Sequence, residues 1–281
     1  MIGTTTTMEL ERLTTKQFER FQSFIYDRCG IKIDISKVTL VSNRIRRRLK
    51  AGNFTDFDEY YSHLTSKKGN GELESFLDAI TTNETFFFRT PATFDWLKND
   101  FVKELLTAKS EGKRLPSLRV WSAACSFGDE PYSIAMCLSE ASVLLRDWKI
   151  TILGTDISET ALLGARNAVY KQHSLQEMDA ARIRRYFSED ETGLWQLRPN
   201  IAQMVQFKNH NLMQTLREPP FDCIFLRNVL IYFDRNSKTT VIDNIVRSLA
   251  PGGYLVVGPS EGIYDMLAML TKRGPFLYQK T

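Results

Sequence analysis

Along the first eighty residues the apolar positions recur every three or four places, which predicts helices. Phe18, Phe21 and Ile25 follow a Thr14–Gln17 capping-box pair, and Gly30 stops the run. A second helix is predicted after Ser36, with Val38, Val41, Ile45 and Leu49 as its seam and Gly52 as its end. A third starts near Thr55, with Asp58 three residues on and Tyr61 and Leu64 on one face. A fourth carries Leu73, Phe76, Leu77 and Ile80. Beyond Pro116 the pattern changes. Short apolar runs at Leu118–Trp121, Ile150–Gly154, Met204–Phe207, Phe221–Leu226, Tyr254–Val257 and Phe276–Tyr278 read as strands. Between them Tyr132–Ser139, Thr160–Ala168 and Lys238–Leu249 read as helices. Strand–helix alternation argues for a parallel sheet covered on both faces. The stretch from about 170 to 202 interrupts this rhythm and reads as an insertion.

Composition narrows the class without naming it. The chain has 281 residues, 43% hydrophobic and 25% charged, which suits one large or two modest globular domains. No apolar run approaches the roughly 18 residues of a membrane span. The threonine-rich start lacks the basic and apolar regions of a secretory signal. Cys29, Cys125, Cys137 and Cys223 form no CxxC pair, and His63, His173 and His210 stand alone. Reduced thiols, a cytosolic setting and no metal are expected. The net charge of +4 says little until its location is considered.

In an open α/β sheet the ligand-binding residues follow the strands. The first strand leads into Ser122-Ala123-Ala124-Cys125-Ser126-Phe127-Gly128-Asp129-Glu130-Pro131, with Pro131 suited to the first helical position. One glycine is too few for a dinucleotide fingerprint, but enough for a nucleoside cofactor without a pyrophosphate. Asp156 closes the second strand, where a carboxylate accepts ribose hydroxyls or helps start the next helix. Ser158 is able to do that capping alone. Asn209-His210-Asn211-Leu212 follows the third strand and offers amides to an adenine edge. Arg227-Asn228-Val229-Leu230-Ile231-Tyr232-Phe233 follows the fourth.

These loops, together with Thr81-Thr82-Asn83-Glu84-Thr85-Phe86-Phe87-Phe88-Arg89, closely resemble the CheR chemotaxis methyltransferases from about Phe18 onward. The resemblance implies an all-α N-terminal domain (1–82) and a linker contributing to the active site (83–115). An α/β, Rossmann-like S-adenosylmethionine-dependent methyltransferase domain follows (116–281), with a small inserted antiparallel β-subdomain at about 170–206. It implies that Asn83, Thr85, Arg89, Ala123, Glu130, Asp156, Asn211, Leu212, Asn228 and Val229 bind S-adenosylmethionine, with S-adenosylhomocysteine as product. Arg89 and Tyr232 match residues near the transferred methyl group. The implied substrates are glutamate carboxylates on the cytoplasmic helices of chemoreceptors, reached by a cytoplasmic enzyme expected to be monomeric.

The chemistry is consistent with that implication. A glutamate carboxyl, with an ordinary pKa of about 4.3, is already ionised at neutral pH, so no general base is required. Alignment of oxygen, methyl and sulfur is the main task. Arg89 would orient the carboxylate and Tyr232 would contact methyl or substrate; simple packing is the competing role for both. Arg44, Arg46, Arg47, Arg48 and Lys50 crowd the second helix. Arg44, Arg47 and Arg48 are expected to dock an acidic receptor helix, although most charge runs are only solvated faces. RNA is disfavoured as a partner, because no aromatic platform accompanies the arginines.

Methyltransfer to RNA or to small molecules, and a non-catalytic cofactor-binding module, are the rival readings. The absence of PPY after Asn228 counts against the first, and the presence of Arg89 and Tyr232 against the second. Some CheR-like enzymes add a receptor's C-terminal pentapeptide to the β-subdomain through a glycine-rich loop. Here the matching residues, Ser188-Glu189-Asp190-Glu191-Thr192-Gly193-Leu194-Trp195, are acidic and hold one glycine, so binding without that tether is expected.

Overall fold

A computed structural model describes residues 12–281; the threonine-rich start lies outside the described residues. The chain divides into two compact units, Met1–Thr82 and Asn83–Thr281.

The first unit holds α1 (Thr15–Cys29), α2 (Val38–Gly52), α3 (Phe57–Thr65) and α4 (Asn70–Ile80). Thr14 caps α1 as the spacing predicts: its hydroxyl accepts from the Gln17 amide N–H, and the Gln17 side chain accepts from the Thr14 N–H. Gly30 closes the helix at a φ of 72°. Helix α2 runs through Gly52, and Asn53 takes the left-handed position at φ 55°. At α3 the capping residue is Asp56, which accepts from Asp58 and Glu59 N–H, while Glu59 reaches back to the Thr55 N–H. Asp58 instead holds the Gln17 side chain and pairs with Arg20. Phe21, Phe24, Tyr60 and Phe76 form an aromatic centre with ring centroids about 6 Å apart.

The second unit opens with a helical run inside the stretch expected to be a linker. It comprises α5 (Pro91–Trp96), a π-helical turn at Leu97–Phe101, and α6 (Val102–Ser110). Phe94, Leu97, Phe101, Val102 and Leu105 are its buried face. The π turn adds a residue to the repeat and so obscures the helical spacing.

Then come β1 (Ser117–Ala123), α7 (Asp129–Glu140), β2 (Lys149–Asp156) and α8 (Glu159–Asn167). The inserted segment contributes β3 (Val169–Tyr170), α9 (Ala180–Tyr186), β4 (Phe187–Glu189), β5 (Trp195–Leu197) and α10 (Pro199–Ala202). The chain closes with β6 (Val205–Asn209), β7 (Phe221–Leu226), α11 (Arg235–Ser248), β8 (Leu249–Val257), β9 (Thr271–Lys272) and β10 (Leu277–Gln279). Helix α7 begins two residues before Pro131, which occupies its first turn, where no N–H is needed.

The main sheet has the order β6-β2-β1-β7-β8-β10-β9. The five strands from β6 to β8 are parallel; at one edge β10 runs antiparallel to β8, and β9 pairs antiparallel with β10. From β1 the chain builds toward β2 and β6 on one side, then toward β7 and β8 on the other. The strand order therefore reverses at β1, where a Rossmann-like sheet opens its ligand crevice. The insertion forms a separate antiparallel sheet, β3-β5-β4.

Candidate functional site

Asn83, Thr85, Arg89, Ala123, Glu130, Asp156, Asn211, Leu212, Asn228, Val229 and Tyr232 all belong to the second unit. Ala123 ends β1 and Asp156 ends β2. Asn211 and Leu212 follow β6, and Asn228, Val229 and Tyr232 follow β7. The parallel sheet thus brings these to its carboxyl edge, and the 83–90 segment is bonded to α7.

The turn after β1 is tight because three residues are left-handed: Ala124 at φ 63°, Ser126 at 51° and Gly128 at 89°. The Asp156 carboxylate holds it there. One oxygen accepts from the Ser126 N–H at 2.8 Å and the other from the Ser158 N–H at 3.0 Å. Ser158 itself caps α8 by accepting from the Ala161 N–H. Asp156 thus braces both the loop and the helix start, and is 6% exposed. Gly154 in β2 is required by the close approach of its neighbours. A Cβ there would lie 2.8 Å from the Phe207 ring and 3.1 Å from Cys125 Sγ.

Glu130 is held from two sides. Ser122 Oγ donates to one oxygen at 2.7 Å, and Arg227 Nη1 donates to the other at 2.9 Å. The Arg227 side chain is almost fully buried, and its second nitrogen donates to the Arg89 carbonyl at 2.6 Å. Arg227 stands in the motif after the fourth strand, where the sequence alone assigns it no task. A buried arginine needs a partner, and that partner lies 97 residues away, so no local spacing reveals it.

The segment bearing Asn83, Thr85 and Arg89 is pinned through its backbone. Phe87 N–H donates to the Ser174 carbonyl, and Phe88 N–H to Ser133 Oγ. Phe88 and Thr90 are left-handed, at φ 56° and 67°. The half-buried Arg89 guanidinium donates to the Glu84 carbonyl and lies 5.5 Å from the Phe86 ring centre.

After β7, Asn228 is left-handed at φ 58°, and Leu230–Tyr232 form a 3-10 turn. Glu261, from the loop after β8, accepts from the Asn228 and Leu230 N–H groups. Burial pushes its carboxyl up, partly offset by those two bonds. Tyr232 is half-buried. Asn211 Oδ1 accepts from the Met213 N–H, and the Leu212 carbonyl accepts from the Asn244 amide.

Several buried polar atoms here have no protein partner: Ser126 Oγ, both Asp129 carboxylate oxygens and His210 Nε2. Burial pushes the Asp129 carboxyl up to about 7 and pulls His210 down, favouring the neutral imidazole. Unsatisfied buried polar atoms beside a strained turn suit a polar ligand. Carboxylates at the ends of β1 and β2, with amides after β6 and β7, fit a cationic nucleoside such as S-adenosylmethionine.

The three arginines expected to dock a receptor sit in the helical unit with different surroundings. Arg48 makes a two-pronged pair with Glu72 at 2.9 and 2.8 Å, and the Tyr60 hydroxyl donates to the same carboxylate. Burial raises the Glu72 carboxyl, but these bonds outweigh it and hold it below the usual range. Arg44 donates to the Ile80 carbonyl and to Thr82 Oγ1 at the end of α4. These two side chains are internal braces. Arg47 is exposed, and with Asn43, Arg46 and Lys50 it lines a shallow basic cleft on α2.

Among the described residues no group of three or more His, Cys, Asp or Glu side chains is placed to hold a metal ion. No described helix is long and apolar enough to cross a membrane.

Residues 83–274 match the family described as CheR methyltransferase, SAM binding domain, and residues 16–81 match CheR methyltransferase, all-alpha domain. A chemotaxis protein methyltransferase of Pseudomonas putida is 34% identical over 270 residues, covering 93% of this chain and 97% of the relative. That of Escherichia coli is 35% identical over 272 residues, covering 95% and 91%. That of Borreliella burgdorferi is 34% identical, covering 89% of each chain. With both domains matched in order and a Rossmann-like sheet in the second, the chain belongs to the CheR family of S-adenosylmethionine-dependent chemotaxis methyltransferases.

Proposed function

We propose that this methyltransferase esterifies glutamate side chains on the cytoplasmic helices of chemoreceptors, acting as a cytoplasmic monomer. When bound, S-adenosylmethionine supplies a methyl group on a sulfonium; a glutamate oxygen forms the new C–O bond as the C–S bond breaks, leaving the methyl ester and S-adenosylhomocysteine. No proton has to be removed, because the carboxylate is already ionised. The protein's task is placement. Asp156, at the end of β2, would accept the ribose hydroxyls. Asn211 and Leu212 would lie beside the base, and Glu130 would receive the cofactor's ammonium group. Asn83, Thr85, Ala123, Asn228 and Val229 complete the wall. Arg89 would orient the substrate carboxylate, and Tyr232 would stand beside the methyl group.

The observation that carries this reading is the Glu130–Arg227–Arg89 connection. One buried guanidinium fixes the carboxylate meant for the cofactor and the backbone of the residue meant for the substrate. Incubation with labelled S-adenosylmethionine and receptor cytoplasmic fragments should give a base-labile product that vanishes when the acceptor glutamates are changed to alanine. Arg89→Ala should lower turnover while leaving stability near parental. A base-stable product would point to another acceptor atom.

For the receptor, the exposed side of α2 around Arg47, with Arg46 and Lys50, is the proposed docking surface. Recognition without a pentapeptide tether is proposed as well. The β4–β5 turn is closed on itself: Asp190 accepts from Thr192 and Leu194 N–H, and Glu189 and Glu191 are exposed beside it. Those charges would repel a terminal carboxylate. Micromolar binding of any receptor C-terminal pentapeptide, lost on changing the 188–195 loop, would overturn this.

A further inference from the structure

Glu261, in the loop that follows β8, is 1% exposed. A buried carboxylate is costly unless its oxygens are satisfied. Here each oxygen takes one backbone N–H from the turn after β7: Oε1 from Asn228, and Oε2 from Leu230 at 2.8 Å. The 3-10 turn Leu230–Tyr232 has no side-chain cap of its own, so Glu261 caps it from another loop. Two residues before that turn, Asn228 is in the left-handed region, a conformation asparagine tolerates, and its N–H is held there by the Glu261 carboxylate. The surroundings are shaped for this contact. Gly258 lies so close that a Cβ there would sit 2.5 Å from Glu261 Oε1 and 3.2 Å from the Asn228 nitrogen. Lys238 of α11 donates to the Glu261 carbonyl, fixing the loop to the helix that follows the turn.

We propose that Glu261 is a positioning residue for methyl transfer. It holds the Asn228–Tyr232 turn in the shape that presents Asn228 and Val229 to the cofactor and Tyr232 to the reacting centre. This rests on the reading that those residues line the site.

The test uses the full chain and two changes that act on the contact differently. Glu261→Gln keeps the volume but sets an amide N–H₂ against a backbone N–H. Gly258→Ala leaves the carboxylate intact and crowds it out of place. Asn228→Ala and Tyr232→Phe report on the site itself, and Ile263→Val trims the packing of the same loop without touching the carboxylate. Receptor methylation and S-adenosylmethionine affinity are measured at a temperature where circular dichroism shows every variant compared to be folded. Should Glu261→Gln not fold, Gly258→Ala decides.

Expected is a loss of about tenfold or more in kcat/KM for Glu261→Gln and Gly258→Ala, matching one lost charged hydrogen bond, with Ile263→Val near parental. Parental rates in Glu261→Gln and Gly258→Ala while Asn228→Ala and Tyr232→Phe are slow would overturn the role of Glu261 and leave the site reading standing. Parental rates in all four would sink both. An equal loss in Ile263→Val would reduce the effect to packing and end the proposal.

Discussion

Arg227 and Glu130, 97 residues apart in the chain, meet at 2.9 Å with the arginine side chain 2% exposed and the glutamate 15%. They form the least exposed ion pair among the described residues. Removing one member of a buried pair leaves an uncompensated charge at a cost of about 3–5 kcal/mol. Arg227→Ala should therefore lower both stability and cofactor affinity. Arg227→Lys restores the charge but offers no fork for Glu130 and the Arg89 carbonyl together. We expect it to recover most of the stability and little of the turnover. Denaturant unfolding beside methylation kinetics checks this; a lysine variant with parental turnover would remove the fork from the mechanism.

Asp156 accepts from the Ser126 and Ser158 N–H groups and is proposed to bind the cofactor's ribose. Asp156→Ala should weaken S-adenosylmethionine binding by tenfold or more, since several hydrogen bonds of about 1 kcal/mol each lose their acceptor. It should also destabilise the apo protein through Ser126 and Ser158. Titration calorimetry on the folded variant is decisive, and unchanged affinity would take Asp156 out of the site.

The arginines of α2 should separate cleanly by substitution. Arg47→Ala with Lys50→Ala should weaken receptor methylation, chiefly by raising KM for the receptor, with cofactor affinity intact. The parental reaction should slow as salt rises, because exposed charges are screened beyond about 8 Å at physiological ionic strength. Arg48→Ala should behave differently, lowering stability by stranding Glu72 and Tyr60. Salt-insensitive methylation would return α2 to an ordinary solvated face.

Asp129 gives a pH prediction. Burial pushes its carboxyl up to about 7, from an ordinary 3.8. Below about pH 4 both folded and unfolded chains hold the proton and there is no penalty. Between 4 and 7 the unfolded chain releases it first, so the folded state loses relative stability; above 7 the penalty is constant. At about 1.4 kcal/mol per pH unit between the two values, it reaches on the order of 4 kcal/mol. Asp129→Asn should thus gain on the parent as pH rises from 5 to 8 in urea unfolding. Parallel curves would show that Asp129 is ionised in the folded protein.

Much of this architecture is legible in the sequence because it is local. Phe221–Leu226 is a strand with the predicted ends, and Thr14 with Gln17 caps its helix. The positions of the proposed site residues follow from strand ends and from the resemblance. What escapes is non-local or irregular. The α5–α6 run is masked by its π turn. Arg44 and Arg48 read as surface charge because Glu72, Tyr60 and the end of α4 come to them only in the folded bundle. Glu261 carries no local mark, since its two partners lie about thirty residues away.

Seven non-glycine residues among those described are left-handed, and five of them, Phe88, Thr90, Ala124, Ser126 and Asn228, sit in the segments that build the site. At about 1–2 kcal/mol for each of the four other than asparagine, their combined cost is comparable to the net stability of a marginal domain. Glycine at Ala124 or Ser126 would relieve that cost and widen the range of shapes the loop explores before any ligand arrives. A campaign that evolves this enzyme for heat resistance alone would therefore drift toward glycine at these turns. It would harvest a tougher protein with a looser grip on its methyl donor.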